Sequence, residues 1–384
     1  MNKINSPKFE FLEGLRGLSA LLVVFYHGQL FSGHSKEYLT SSLKPLTYLL
    51  SFGHYSVAVF IVLSGFCLSI PVAVSADKQL KGGFKRYISR RFTRIVPPYY
   101  ATLILMLILI FAFPILQTPQ NTAWDSKIPV TITSIITHIL LIHNLSSEWI
   151  YNINGPMWSV ATEFQIYFIF PILIFIWRKY NLIAAIIFAM VLGFIIPFKF
   201  HLLHPWYLGL FAMGMAASII CFSKEEQYVK IKNKINWSLA SKLSIIGFIL
   251  IPILTYKRVD IKLLESYAGV LICIILINFT LIEMEAKKRP IMLRLFNTKF
   301  AIFLGVFSYS IYLIHSPLLG FFNLLILDYS LSINIRLLIM FVVFIPIALI
   351  ISYIFHVLVE RRFMPNHLKK EEKAIITAVE NKIV

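Results

Sequence analysis

Ionisable side chains inside long apolar runs are costly to place in a bilayer, so they mark candidate chemistry first. His27 lies in the apolar stretch that follows Arg16, eleven residues further on. Eleven helical steps come to about 20° past three full turns, which puts both side chains on one face about 16 Å apart along the axis. A neutral imidazole in that setting can accept a proton from a hydroxyl. A second group is Gly155-Pro156-Met157-Trp158-Ser159-Val160-Ala161-Thr162-Glu163, which reads as a helix start with proline in its first turn. Ser159, Glu163 and Tyr167 follow at i, i+4 and i+8, one polar stripe on an otherwise apolar helix. A third is Ser308–Pro317, where Ser308, Tyr312 and His315 share a face and Pro317 is expected to bend the helix near His315. A fourth is Arg90, Arg91 and Arg94, whose spacings of three and four let guanidiniums converge on a polyphosphate. The pair Pro97-Pro98 is expected to interrupt the helix just beyond them. Each group also has a plainer use, as polar contacts between packed helices.

The elements that must position these groups follow from composition. Of 384 residues 58% are hydrophobic and 14% charged, against about 25% charged in soluble domains. That excludes a soluble enzyme with one anchor. The fold class expected is an all-α polytopic membrane protein with ten transmembrane helices, at 15–31, 48–70, 95–116, 156–177, 182–197, 203–222, 243–256, 266–284, 300–319 and 335–359. Segment 130–142 is short for a span and is expected to be re-entrant or interfacial. The net charge of +18 tests this layout. Ten spans leave 28 of the 36 basic residues on one side, whereas a crossing at 130–142 would leave 15 there. Cytoplasmic loops collect Lys and Arg, so the first layout is preferred, with both termini cytoplasmic. The positive charge then records topology and attraction to anionic membrane lipid, not nucleic acid. No cleavage site follows the first apolar run, so a retained first span is expected. The expected organisation is a membrane domain over 1–363 and a short charged cytoplasmic tail over 364–384. Cys67, Cys221 and Cys273 sit in apolar segments without metal-ligand or disulfide spacing, and no metal is expected.

Taken in order, these blocks resemble the acyltransferase 3 family of membrane acyltransferases. Phe11-Leu12-Glu13-Gly14-Leu15-Arg16-Gly17-Leu18-Ser19-Ala20 followed by His27 is similar to the family's opening, an Arg, ten residues, then a His. Val57-Ala58-Val59-Phe60-Ile61-Val62-Leu63-Ser64-Gly65-Phe66 resembles its second-span signature. Arg91-Phe92-Thr93-Arg94 matches its R-x-x-R element, and Trp158-Ser159 through Glu163 and Ser308–Pro317 resemble later blocks. Many members carry two adjacent acidic residues where this chain has Ala161-Thr162-Glu163-Phe164, so Glu163 takes the acidic role alone. The soluble esterase-like domain that some members carry at the C-terminus is absent from this sequence.

The resemblance implies transfer of an acyl group, usually acetyl, from cytoplasmic acyl-CoA to a hydroxyl of an extracytoplasmic carbohydrate, in a bacterial inner membrane. It further implies Arg16, Arg90, Arg91 and Arg94 as the docking site of acetyl-CoA and His27 as the general base. Glu163 would orient His27 or stabilise its imidazolium, and Tyr312 or Ser159 would donate to the oxyanion. Trp158 falls on the acceptor side, His315 either there or behind the reacting groups, and a covalent acyl-histidine stays open beside direct transfer. The acceptor is O-antigen, capsule, exopolysaccharide, peptidoglycan or a lipid-linked sugar. The competing class is a transporter or flippase of a sugar substrate, with polar stripes lining a pathway.

Overall fold

A computed structural model describes residues 9–195, 204–365 and 369. Among them every regular element is a helix. In chain order they are α1 (Glu10–Leu30), α2 (Lys44–Ser51), α3 (Tyr55–Ala73), α4 (Gly83–Ala112), α5 (Ile132–Ile139), α6 (Met157–Lys179) and α7 (Leu182–Ile195). Then come α8 (Tyr207–Phe222), α9 (Glu226–Lys234), α10 (Trp237–Gly247), α11 (Leu250–Tyr256), α12 (Ile261–Met284), α13 (Ile291–Phe296), α14 (Lys299–Val306) and α15 (Ser308–Leu325). The last long helix, α16 (Ile333–Phe363), contains two π-helical turns at Met340–Phe344 and His356–Glu360.

Six helices among the described residues are long and apolar enough to cross a bilayer, and eight if each of two bent pairs counts once. The bent pairs are α8 with α9, at 91°, and α14 with α15, at 75°. Two further expected spans coincide with α1, whose first turns carry Glu10, Glu13 and Arg16, and with α7, which has 14 residues. Segment 130–142 forms only the eight-residue α5. The tail expected over 364–384 lies outside the described residues except for 364, 365 and 369.

Two sequence expectations about proline are corrected. Helix α4 runs unbroken through Pro97 and Pro98, and α15 runs through Pro317, with the bend placed before it at Phe307. Proline removes one donor and leaves the carbonyl four residues earlier open, which a spanning helix tolerates when a neighbour supplies the missing donor. Asn154 Nδ2 donates to Leu313 O at 2.8 Å, the carbonyl that Pro317 frees. Tyr309 Oη donates to Ile95 O at 2.9 Å, next to the stretch opened by Pro97 and Pro98.

Two compact units divide the chain, and α1, α3, α4 and α6 contribute residues to both. The first comprises 57–89 and 162–297 with the first described residues. Its buried polar centre is Glu265 on α12, which accepts from Trp206 Nε1 at 2.6 Å and Tyr207 Oη at 3.2 Å. The second comprises 13–56, 90–161 and the chain from 298 onward. Within it α1 and α14 touch backbone to backbone: a Cβ on Gly17 would strike Ala301 O, and one on Gly305 would strike Glu13 O. The same unit clamps α15 at both ends. Near its start Ser310 Oγ donates to Glu360 Oε2 at 2.5 Å, which His356 Nδ1 also contacts at 2.8 Å. Beyond its end the buried Arg336 guanidinium donates to the carbonyls of Ile326, Leu327, Tyr329 and Leu331 at 2.7–3.1 Å. A buried charge so fully engaged holds a turn in place, because leaving it unpaired would be strongly destabilising.

Candidate active site

The second unit pairs two histidines that are 288 positions apart in sequence. His315 Nε2 on α15 lies 2.9 Å from His27 Nδ1 on α1. The network assigns the protons. His315 Nδ1 sits 2.7 Å from Ile311 O, a pure acceptor, so Nδ1 carries the hydrogen and Nε2 holds a lone pair. His27 Nδ1 must then be the donor to His315, and Nε2 of His27 is left as the basic nitrogen. His315 is completely buried, while His27 keeps partial exposure. The pair therefore has an orienting member and an accessible one.

One turn earlier on α15, Tyr312 Oη lies 2.5 Å from Ser159 Oγ at the start of α6. Ser159 Oγ also reaches Pro156 O at 3.2 Å. The Tyr312 and His315 rings are 6.1 Å apart, so the two hydroxyls and the histidine pair form one polar cluster. Trp158 is half-buried beside Ser159. The loop entering α6 is fixed by the Asn154 contact to Leu313 O, two residues from His315.

The arginines belong to the same unit. Arg16 lies on α1 eleven residues before His27, and its Nη1 is held by Glu13 Oε1 at 2.6 Å. Because α4 is helical throughout 83–112, Arg90 and Arg91 each fall within a turn of Arg94 on that helix. Arg90 is exposed, and Arg91 and Arg94 are half-buried. Glu163 falls in the other unit, where it accepts from Tyr167 Oη at 2.6 Å. Tyr167 in turn sits 3.3 Å from Ser64 Oγ. The hydrogen bond on His27 Nδ1 thus goes to His315 and not to a carboxylate, and this is where the arrangement departs from expectation. Sequence reasoning also missed Asn154. The signal available was Pro317, which opens a buried carbonyl that some side chain must close.

A family profile described as an acyltransferase domain matches residues 9–357. The chain belongs to the acyltransferase 3 family. Its long apolar helices mark it as an integral membrane protein. Among its relatives, acyltransferase MdmB of Streptomyces mycarofaciens is 30% identical over 55% of this chain and 44% of its own length. Peptidoglycan O-acetyltransferase OatA of Listeria monocytogenes is 23% identical over 80% of this chain and 49% of its own. The chain spans about half the length of these two relatives. No solved structure matches it. The family assignment leaves the transport alternative without support.

Proposed function

We propose that this acyltransferase moves an acetyl group from acetyl-CoA, on the cytoplasmic side, to a hydroxyl of a carbohydrate on the other side of the bacterial inner membrane. The observation that carries the reading is the His27–His315 pair, which leaves an oriented, accessible basic nitrogen on the same helix as Arg16. Arg16, with Arg90, Arg91 and Arg94, offers cationic forks to the phosphates of coenzyme A. The about 16 Å of helix between Arg16 and His27 is on the order of an extended pantetheine arm, so a thioester anchored by its phosphates reaches His27.

His27 Nε2 removes the proton of the acceptor hydroxyl as its oxygen bonds to the thioester carbon. The positive charge that develops on His27 is shared with His315 through the Nδ1–H, as a triad's third member serves its histidine. The carbonyl π pair moves to oxygen, where Tyr312 or Ser159 donates a hydrogen bond. When that pair returns, the C–S bond breaks and the imidazolium gives its proton to the departing thiolate. Glu163, hydrogen-bonded by Tyr167, is the acidic residue of its block, and Trp158 borders the acceptor. OatA is named for peptidoglycan and the name of MdmB states no acceptor, so the acceptor here is given only as a carbohydrate hydroxyl. Purified protein incubated with labelled acetyl-CoA should release or transfer the label. His27→Ala should abolish this, and wild-type turnover in that variant overturns the mechanism.

A further inference from the structure

Lys127 is a buried cation of the second unit that the mechanism above leaves unused. It closes a short helical turn, Ala123–Lys127, and is only 8% exposed. Its Nζ donates to Ser126 Oγ at 2.8 Å and lies 5.4 Å from the centre of the Tyr151 ring. Among the described residues no carboxylate lies within ion-pairing distance of it. Asp125, its near neighbour, is committed to its own turn, accepting from Thr122 and from the Gln120 N–H. Arg336 shows the contrast, since four carbonyls engage that buried guanidinium. Lys127 has three N–H donors, and one hydroxyl and one ring face are what it has been given.

The surroundings hold this ammonium deliberately. Ile153 N donates to Lys127 O at 2.9 Å, and Asn152 Nδ2 donates to Pro129 O at 2.9 Å, so segment 150–155 is tied along segment 127–129. Ile153 adopts φ 63°, a left-handed conformation that is costly for a β-branched residue. Gly155 follows, and a Cβ there would sit 2.8 Å from Lys127 Nζ. The adjoining Asn154 is fixed to Leu313 O, two residues from His315, and Ser159 stands four residues beyond Gly155. Nor does topology account for this lysine, which is one of the 8 basic residues outside the preferred cytoplasmic set.

We infer that Lys127 is a further catalytic residue, whose ammonium donates to the carbonyl oxygen of the transferring acyl group as that oxygen becomes an oxyanion. The inference rests on the acyl-transfer reading. A buried ammonium without a counter-charge is stabilised by an arriving anion, and the reaction at His27 makes one. As the acceptor oxygen bonds to the thioester carbon, the π pair settles on the carbonyl oxygen beside Lys127. The pair returns when the C–S bond breaks and the thiolate takes the proton held by His27. Lys127 keeps its own protons throughout.

The test uses the full-length protein in detergent with labelled acetyl-CoA. Lys127→Gln should lower turnover about 100-fold or more, the usual loss for an oxyanion donor, with the KM for acetyl-CoA changed less than threefold. Lys127→Arg, which keeps the charge, should recover most of the loss at an unchanged melting temperature. Turnover of Lys127→Gln within threefold of wild type overturns the assignment while leaving acyl transfer intact. So does a Lys127→Arg variant as inactive as Lys127→Gln, or a loss confined to KM. If Lys127→Gln does not fold, Gly155→Ala keeps the lysine but crowds its ammonium, and undiminished turnover there overturns the assignment. Wild-type protein inert toward acetyl-CoA overturns the acyl-transfer reading, and the assignment with it.

Discussion

Replacing His315 with phenylalanine removes the acceptor for the His27 Nδ1–H while keeping a ring in the same fully buried space. In the resting enzyme the bond fixes which nitrogen of His27 is basic. In the transition state His27 is an imidazolium, so the bond becomes charge-assisted. Hydrogen bonds to charged groups contribute about 1.5–3 kcal/mol. At about 1.4 kcal/mol per factor of ten, losing this one should slow turnover about 10- to 150-fold. The measurement is the initial rate of label transfer from saturating acetyl-CoA by purified protein. Its KM for acetyl-CoA should change less than twofold, because Arg16 lies eleven residues away along α1 and is held by Glu13. His315→Gln, whose side-chain carbonyl can accept the Nδ1–H, should recover part of the rate. Unimpaired turnover in His315→Phe would refute the orienting role. Activity as low as in His27→Ala, with no recovery in His315→Gln, would show that His315 itself meets the reacting atoms.

Asn154→Ala should lower the melting temperature by leaving Leu313 O buried and unsatisfied, at a cost of about 1–3 kcal/mol. Combining it with Pro317→Ala, which restores a backbone donor to that carbonyl, should return part of the loss in a double-mutant cycle. Arg91→Ala and Arg94→Ala should each raise the KM for acetyl-CoA about tenfold or more with a smaller effect on turnover at saturation, read from donor titrations. Burial pushes the Lys127 ammonium, in its turn outside the spanning helices, from 10.5 down to about 8. Its contacts are the Ser126 hydroxyl and the Tyr151 ring, and the cation is present below about pH 8 and lost above it. Transfer should therefore decline as pH rises through about 8, and a rate–pH profile of Lys127→Arg should keep its plateau to higher pH.

Much of the site was legible because helices convert spacing into direction. Arg16 and His27 needed only the pitch of α1, and the arginines of α4 only its continuity. The prolines were misread because their effect depends on partners far away in sequence: Tyr309 stands 214 positions from Ile95, and Asn154 159 positions from Leu313. Asn154 supplies the donor that the carbonyl freed by Pro317 lacks, and Tyr309 ties α15 to α4 beside the proline pair. The partner of His27 was hidden for the same reason. Local pattern offered Glu163 as the charged residue of its block, whereas the hydrogen bond goes to a neutral ring on another helix. Lys127 gave no local signal, since its lack of a counter-charge among the described residues becomes visible only once Asp125 is seen to be used by its own turn.

The glycine contact between α1 and α14 bears on donor selection. With no side chain between Gly17 and Ala301, or between Gly305 and Glu13, the two helices have no cushion on which to slide. The turn carrying Arg16 is thereby seated, and helical rise sets the depth of His27 beneath it. Helix α1 acts as a ruler, graduated at one end by a charge and at the other by a base. On the proposed mechanism a donor would be measured by the length between its anionic end and its thioester, before any pocket examines the acyl chain itself. Acyl thioesters on truncated carriers should be rejected for falling short, however well their acyl groups fit.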